Sequence, residues 1–308
     1  MTTALISHDD ALNHVTPDGH PERVARLEHL WPALKGKALT HVEAPLAEDK
    51  DLRLCHPQSY IDGIRAAAPK EGFNQLDGDT WMSPGTVNAA LRAAGGAIKA
   101  VDMVIAGEAT NAFVAMRPPG HHAETSTPMG FCLFGTVAIA AKHALERHGL
   151  SRVAVVDFDV HHGNGTQDLL WAEARSLFVS SHQMPLWPGS GAANETGAHD
   201  NVMNVPLAPG TGGAGFRQVY EGQAFPALEA FKPELIFVSA GFDAHADDPL
   251  ANLNLLEDDF AWVTRKLCGI AATHAEGRVV SCLEGGYDLR ALADSAAAHV
   301  DALISAAG

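Results

Sequence analysis

Cysteine, aromatic residues and positive charge are all scarce in this 308-residue sequence. Its four cysteines form no C-x-x-C pair, which argues against a disulfide framework or a thiolate zinc site and favours a reducing compartment. Lysine and arginine number 21 against 37 acidic residues, for a formal net charge of −16. A broad nucleic-acid-binding face needs positive charge, so nucleic acid is not an expected partner. A cationic substrate is compatible with this charge.

Long apolar runs are also missing. No run of about 18 apolar residues occurs, so no segment is expected to span a membrane. The start, "MTTALISHDD", lacks a basic segment followed by an apolar one, so we expect no signal peptide and a cytoplasmic location. The hydrophobic content of 46% is nevertheless enough for a sizeable core in a chain of this length.

From about residue 84 onward, apolar strand patterns alternate with helical patterns. Strands are predicted at 111–116, 152–159, 176–181, 234–243 and 278–286, with helices between them. Near-continuous apolar strands separated by helices are typical of a parallel sheet covered on both faces. We therefore predict an α/β chain with a central, mostly parallel β-sheet, helices on both faces and one domain over residues 1–308. Residues 1–80 are expected to supply edge elements and rim loops.

Polar clusters that could bind a ligand follow four of these apolar strands. They are "RPPGHH" (117–122), "DFDVHHGNG" (157–165), "GFDAHADDP" (241–249) and "EGGYDL" (284–289). In open α/β sheets, ligands bind beyond the carboxyl ends of the strands. The four clusters are therefore expected to meet at one end of the sheet.

The second cluster alternates two carboxylates with an imidazole, in the order Asp157, Asp159, His161. Alternate side chains of a regular strand point to one side. We expect two of the three to bind a metal ion and the other to take a separate role. A carboxylate with an imidazole suits zinc, and a third ligand from another strand, best supplied by Asp243, leaves a fourth position open. The alternative is that Asp159 and Asp243 only cap helices or join surface ion pairs.

The other clusters offer groups for proton transfer and charge stabilisation. One of the adjacent histidines His121 and His122 could transfer a proton during the reaction, because imidazole titrates near neutral pH. The alternative for each histidine is that it is only a packed, hydrogen-bonded loop residue. Tyr287 follows two glycines, and its phenol could donate to a developing oxyanion, with a plain rim residue as the alternative. Histidines outside these motifs are interpreted as surface or core residues.

Together, the ordered motifs resemble the zinc-dependent histone deacetylase family, with its class II-like bacterial members and the acetylpolyamine amidohydrolases. The likeness covers most of the chain and rests on "HPERVARL", "RPPGHHA", "GFC", "DFDVHHGNGTQ", "SSHQ", "WPGSG", "SAGFDAHADDPL" and "EGGYDL". The resemblance implies the arginase–deacetylase fold, with zinc held by Asp159, His161 and Asp243.

It also implies roles for the residues around the metal. His122 would be the general base toward water and then the general acid toward the leaving amine. His121, hydrogen-bonded to Asp157, would act mainly electrostatically, and Tyr287 would donate to the tetrahedral oxyanion. Asn164 stands where the class I branch carries an Asp partner for the second histidine.

A substrate tunnel and a second ion follow from the same resemblance. Phe131, after Gly130, would form one wall of a narrow acyl tunnel. Leu250 stands where animal acetylpolyamine deacetylases carry a gatekeeper carboxylate, which favours acyl-lysine over a charged polyamine. Asp157 and Ser180 resemble part of a monovalent cation site, expected to hold potassium.

The sequence thus predicts a zinc-dependent amide hydrolase that removes acetyl from acetyl-lysine-type or related N-acetyl amines, as small molecules or peptides. An acetylpolyamine amidohydrolase is the close alternative. A dimanganese ureohydrolase of the same fold is disfavoured, because Gly163 and His245 stand where bridging carboxylates are needed. A non-catalytic acyl-amine binding protein is expected to lack a ligand, the proton carrier or the tyrosine, and all are present. The oligomeric state is left open, a homo-oligomer included.

Overall fold

The computed structural model describes residues 2–308. The strands are β1 (Thr3–Ser7), β2 (Leu39–Glu43), β3 (Asn74–Gln75), β4 (Trp81–Met82), β5 (Asn111–Val114), β6 (Val153–Asp157), β7 (Ser176–Gln183), β8 (Val202–Leu207), β9 (Leu235–Ala240) and β10 (Val279–Leu283). The α-helices are α1 (Ala25–Leu34), α2 (Asp49–Leu52), α3 (Gln58–Ala67), α4 (Thr86–Ile105), α5 (Thr136–Arg147), α6 (Asn164–Leu170), α7 (Gly213–Val219), α8 (Phe225–Phe231), α9 (Glu257–His274) and α10 (Leu289–Ala307). A 3₁₀ helix covers Asp9–Asn13, and a π-helical turn, Tyr220–Ala224, joins α7 to α8.

Eight of the strands form one sheet in the order β2-β1-β5-β10-β9-β6-β7-β8, and every neighbouring pair is parallel. The five strands from β5 to β7 in this order are buried along their whole length. Strands covered on both faces have no solvent side, which is why β6, β9 and β10 are mainly apolar and do not alternate with polar residues. The predicted α/β class and parallel sheet are confirmed.

The helices that cover the sheet fall into two groups. Helices α4 and α5 pack on each other and contact β5, β6, β9 and β10. Helices α1 and α9 each pack on α10, and α9 and α10 contact β9, β5 and β1. Because β5 and β9 each touch a helix from both groups, the two groups cover opposite faces of the sheet. Within residues 2–308, no helix combines the length and apolarity that crossing a bilayer requires.

Strand β8 of the large sheet is absent from the sequence prediction. It lies at the edge of the sheet and contains Pro206, whose missing N–H is tolerated at an edge. A helix is correctly predicted between the strands at 176–181 and 234–243, but the structure divides it into α7, the π-helical turn and α8. The first 80 residues supply the edge strand β2 and its neighbour β1, as expected.

Candidate active site

The four polar clusters follow β5, β10, β9 and β6, which are consecutive neighbours in the sheet. Their carboxyl ends therefore open on one edge, and the expectation that the clusters meet is confirmed. Strand β6 ends at Asp157, so the residues after it leave the regular strand. In register, Asp157 lies opposite Ser239 of β9 and Ser180 of β7.

Asp159, His161 and Asp243 lie together in one buried cluster at this edge. One ligand atom from each lies within 4.8 Å of the others. The Nδ1 atom of His161 is 3.2 Å from Asp159 Oδ1 and 3.1 Å from Asp243 Oδ2. The backbone N–H of Gly285 donates to Asp159 Oδ2 at 2.9 Å, and that of Val160 donates to Asp243 Oδ1 at 2.9 Å. These bonds orient both carboxylates toward the imidazole.

The chemistry of this donor set fits a divalent cation. Burial, together with the charge of Asp159, raises the pKa of Asp243 to about 7. Burial opposes a charge on His161 too, but its hydrogen bonds to both carboxylates outweigh that effect and raise its pKa to about 10. Without a cation, the proton on His161 balances buried carboxylate charge, and a bound metal ion would replace that proton. Two carboxylates and one imidazole are ligands that zinc accepts.

Gly285 explains why the "EGG" stretch needs glycine. A Cβ atom at this position would lie 2.3 Å from Asp243 Oδ2 and 2.6 Å from Asp159 Oδ2. Any side chain here would displace the carboxylates, because non-bonded atoms do not approach this closely. The backbone thus approaches the two carboxylates closely at Gly285.

His121 and His122 lie beside the cluster and have opposite surroundings. His121 Nδ1 is 3.0 Å from Asp157 Oδ2. Burial lowers its pKa, but the charges of Asp159 and Asp157 outweigh this and raise the pKa well above the ordinary value. For His122, burial and the neighbouring imidazoles His121 and His161 lower the pKa well below the ordinary value. The two rings, 3.9 Å apart between centroids, are therefore set to differ in charge.

The contacts of Asn164 define the tautomer of His122. The amide Nδ2 of Asn164 donates to Glu124 Oε1 at 2.8 Å, which turns Oδ1 toward His122 Nδ1, 2.7 Å away. Since an amide oxygen only accepts, His122 Nδ1 must carry the proton. Its Nε2 then keeps a free lone pair, as a proton acceptor needs.

A cavity of about 360 Å³ opens over the cluster. His122, His161 and Tyr287 share its wall, so the expected base, metal ligand and phenol face one space. Burial and the charge of Asp243 raise the pKa of Tyr287 well above its usual range, so its hydroxyl keeps the proton that it would donate.

Two side chains position the Tyr287 turn. The guanidinium of Arg26 lies 5.0 Å from the Tyr287 ring centroid and donates through Nε to the Gly286 carbonyl at 2.7 Å. Asp248 Oδ2 accepts from the Tyr287 backbone N–H at 2.7 Å. Neither Arg26 in "HPERVARL" nor Asp248 in "GFDAHADDP" was predicted to have a role, although both motifs belong to the family resemblance.

The residues predicted for the tunnel line this cavity. Gly130 and Phe131 have φ angles of 56° and 67°, and Phe131 lies 5.9 Å from Tyr287 between ring centroids. A Cβ on Gly130 would lie 2.4 Å from His122 Cδ2, so only glycine fits there. Leu250 lies in the same wall and is 36% exposed.

The wall also contains residues that were not predicted from the sequence, among them His20, Asp79, Trp81, Leu186 and Trp187. Trp187 lies 4.7 Å from the His122 ring between centroids. His20 begins the motif "HPERVARL" and Trp187 begins "WPGSG". Membership in these motifs was the signal from which both residues could have been predicted. His20 in particular was interpreted as an ordinary surface or core histidine, yet it packs 4.8 Å from the Phe131 ring.

Asp157 and Ser180, the residues expected at a monovalent cation site, are register neighbours on β6 and β7. Asp157 Oδ1 accepts from the Asp159 N–H at 3.0 Å, and the Ser180 hydroxyl is 3.0 Å from His182 Nδ1. Potassium binding here stays a prediction.

The fold is that of the arginase–deacetylase class of hydrolases. Within that class, the family model described as histone deacetylase domain matches residues 20–303. The chain belongs to the histone deacetylase family, as the sequence motifs predicted, and is a hydrolytic enzyme acting on amides.

Several curated and solved proteins are similar to this chain. A histone deacetylase-like amidohydrolase of Pseudomonas aeruginosa is 44% identical over 79% of this chain and 65% of its own length. A probable deacetylase of Archaeoglobus fulgidus is 37% identical over 94% of this chain and 82% of its own. The crystal structure of the HDA15 HD domain superposes with a TM-score of 0.94 at 30% identity, covering 99% of this chain and 88% of that one.

The dimanganese alternative finds no support at the site. A Cβ at Gly163 would lie 2.2 Å from Asp157 Oδ2, so a larger bridging residue does not fit. Among residues 2–308, the strand ends bring together one three-ligand cluster.

Proposed function

We propose that this protein is a zinc-dependent deacetylase that hydrolyses acetyl-lysine-type amides, with Zn²⁺ held by Asp159, His161 and Asp243. The observation that carries the proposal is the state of His122. This buried imidazole has its Nδ1 proton engaged by Asn164, and its free Nε2 belongs to a ring that lines the same cavity as the ligand cluster.

The bound metal would polarise the amide carbonyl as a Lewis acid and lower the pKa of water. The chain supplies the other parts of the reaction. His122 Nε2 accepts the proton of the attacking water and returns it to the leaving amine nitrogen. The phenol of Tyr287 donates a hydrogen bond to the substrate oxygen as it gains charge. His121, paired with Asp157, keeps positive charge beside the site, and the products are a carboxylate and a free amine.

The substrate class is proposed from the wall of the cavity. Trp81, Phe131 and Trp187 give it an aromatic lining, and Leu250 lies in the part that is exposed. An apolar channel suits the methylene chain of an acyl-lysine, because desolvating that chain is favourable. We further propose a potassium ion near Asp157 and Ser180, a single catalytic domain over residues 1–308 and a cytoplasmic location.

The experiment that tests the zinc-dependent reaction uses purified protein and a fluorogenic acetyl-lysine amide. Chelation should abolish turnover, and stoichiometric Zn²⁺ should restore it. Binding of the amide without release of acetate in the zinc-loaded protein would instead identify a non-catalytic acyl-amine binding protein.

A second candidate, acetylpolyamine hydrolysis, is favoured by one observation. Asp79 places a carboxylate in the cavity wall, where it could pair with a substrate ammonium group. Turnover of an acetyl-lysine peptide, acetylputrescine and acetylspermidine should be compared under the same conditions. We expect the peptide to give the highest kcat/KM, and a much higher value for either polyamine would reverse the assignment.

A further inference from the structure

Asp102, His143 and His148 form a second cluster of metal-ligating side chains, outside the active site. Asp102 is on α4, His143 is on α5, and His148 directly follows α5. One ligand atom from each lies within 4.8 Å of the others. We infer that this cluster is a second binding site for a divalent transition metal ion.

The geometry directs three ligand atoms at one point. The Nε2 atoms of His143 and His148 each lie 2.8 Å from the same oxygen, Asp102 Oδ1. The side chain of His143 is 10% exposed, that of His148 is 25% exposed and that of Asp102 is 43% exposed. One side of the cluster is thus embedded between helices, and the other is open for water to complete the coordination shell.

The ligand types select the class of ion. Two imidazole nitrogens with one carboxylate oxygen suit zinc and its neighbours such as cobalt, nickel and copper, rather than calcium or magnesium.

Ion binding requires only a small adjustment. Ligand atoms around a tetrahedral zinc with bonds of about 2.05 Å are roughly 3.3 Å apart. In this cluster, each imidazole Nε2 lies 2.8 Å from Asp102 Oδ1. The corresponding contacts in the catalytic cluster are 3.1 Å and 3.2 Å. Because Asp102 and His148 are partly exposed, their side chains can move by the half ångström or so that is needed.

The affinity should be modest. A metal-bound imidazole normally donates its other N–H to an acceptor, and loss of that partner weakens binding by about 10–100-fold. His143 Nδ1 is buried and has no hydrogen-bond partner within residues 2–308. We therefore expect this site to fill at a higher free Zn²⁺ concentration than the catalytic cluster, so the two can be separated by titration.

The second ion would not take part in amide hydrolysis. Helix α5 begins beside the active-site loop, since a Cβ on Gly120 would lie 2.7 Å from Thr136 N. His148 lies twelve residues further on, about 18 Å along a helix with a rise of 1.5 Å per residue. Metal binding at the second site can therefore be tested independently of the proposed reaction.

The test is equilibrium dialysis of the demetallated full chain against increasing free Zn²⁺, with bound metal determined by elemental analysis. Wild type should bind one equivalent tightly and a second at higher concentration. Asp102→Asn and His148→Gln should each lose the second equivalent while keeping the first and the amidase activity. His199→Gln, at an exposed histidine outside the cluster, should keep both.

A second measurement is independent of the catalytic ligands. In Asp243→Ala protein, Co²⁺ should still give a visible d–d absorption from the second site, and adding Asp102→Asn should remove it. The inference is overturned if wild type takes up a single equivalent, or if both cluster variants bind as much Zn²⁺ as His199→Gln does.

Discussion

Replacing Tyr287 by phenylalanine tests the oxyanion donor with little other disturbance. The ring of Tyr287 is held by packing, 5.9 Å from Phe131 between centroids and 5.0 Å from the Arg26 guanidinium. Its backbone is held by Asp248. None of these contacts uses the hydroxyl, so phenylalanine should keep the ring in place and remove only the donor.

The expected loss follows from the position of that hydroxyl. Burial raises the pKa of Tyr287 well above its usual range, so the wild-type phenol is a protonated donor at every pH at which the enzyme works. Removing one oxyanion donor lowers kcat by roughly 10²–10³-fold, or about 2.7–4 kcal/mol. Because this interaction strengthens as the oxygen gains charge, kcat should fall and KM should change little.

The assay is steady-state hydrolysis of an acetyl-lysine amide, with zinc content measured on the same sample. Tyr220→Phe is the matched control, because Tyr220 is also buried and its hydroxyl lies 2.9 Å from Ser181 Oγ, outside the cavity. That variant should lose about 1 kcal/mol of stability and keep its activity. If Tyr287→Phe retains zinc and hydrolyses within about threefold of wild type, Tyr287 is not the oxyanion donor.

Three further predictions follow from the contacts in the structure. Asp243→Ala should lower bound zinc, since three ligands become two; full zinc occupancy would refute that assignment. Asn164→Asp places a carboxylate beside His122, and this negative charge should raise the pKa of the imidazole. The acidic limb of the pH profile of kcat/KM should therefore move up by about one pH unit or more. An unmoved limb would exclude His122 as the base. Burial lowers the pKa of His299 to about 3, so stability should be lost as pH falls below about 6.5, by about 2 kcal/mol at pH 5. His299→Gln should remove that part of the acid sensitivity in denaturant titrations at pH 7 and pH 5, and an unchanged difference between the two pH values would count against it.

The active-site edge could be predicted from sequence because it depends on local patterns joined by one general rule. Apolar strands are recognised by their runs of buried residues, and parallel strands place their carboxyl ends at one edge. The clusters at Asp157–His161 and at Asp243 each directly follow such a strand. Their meeting therefore required only that the sheet be parallel, which the helices between the strands indicated.

Other features depend on contacts between distant parts of the chain. The edge strand β8 lacks a continuous apolar run, because the buried Asn204 interrupts it. The amide of Asn204 donates to Gln167 Oε1 at 2.7 Å, a contact with a distant part of the chain. Trp187 reaches His122 through a long loop after β7, and no local pattern predicts where such a loop folds.

By itself, the sequence determined the α/β class, the family and the residues around the catalytic cluster, since each is encoded in short motifs with fixed spacing. Only the tertiary structure decided the surroundings of each group: the tautomer of His122 through Asn164 and Glu124, and the meeting of Asp102 with His143 and His148. Those arrangements arise from packing between helices and loops far apart in the chain, where proximity is set by the whole core and not by neighbouring residues.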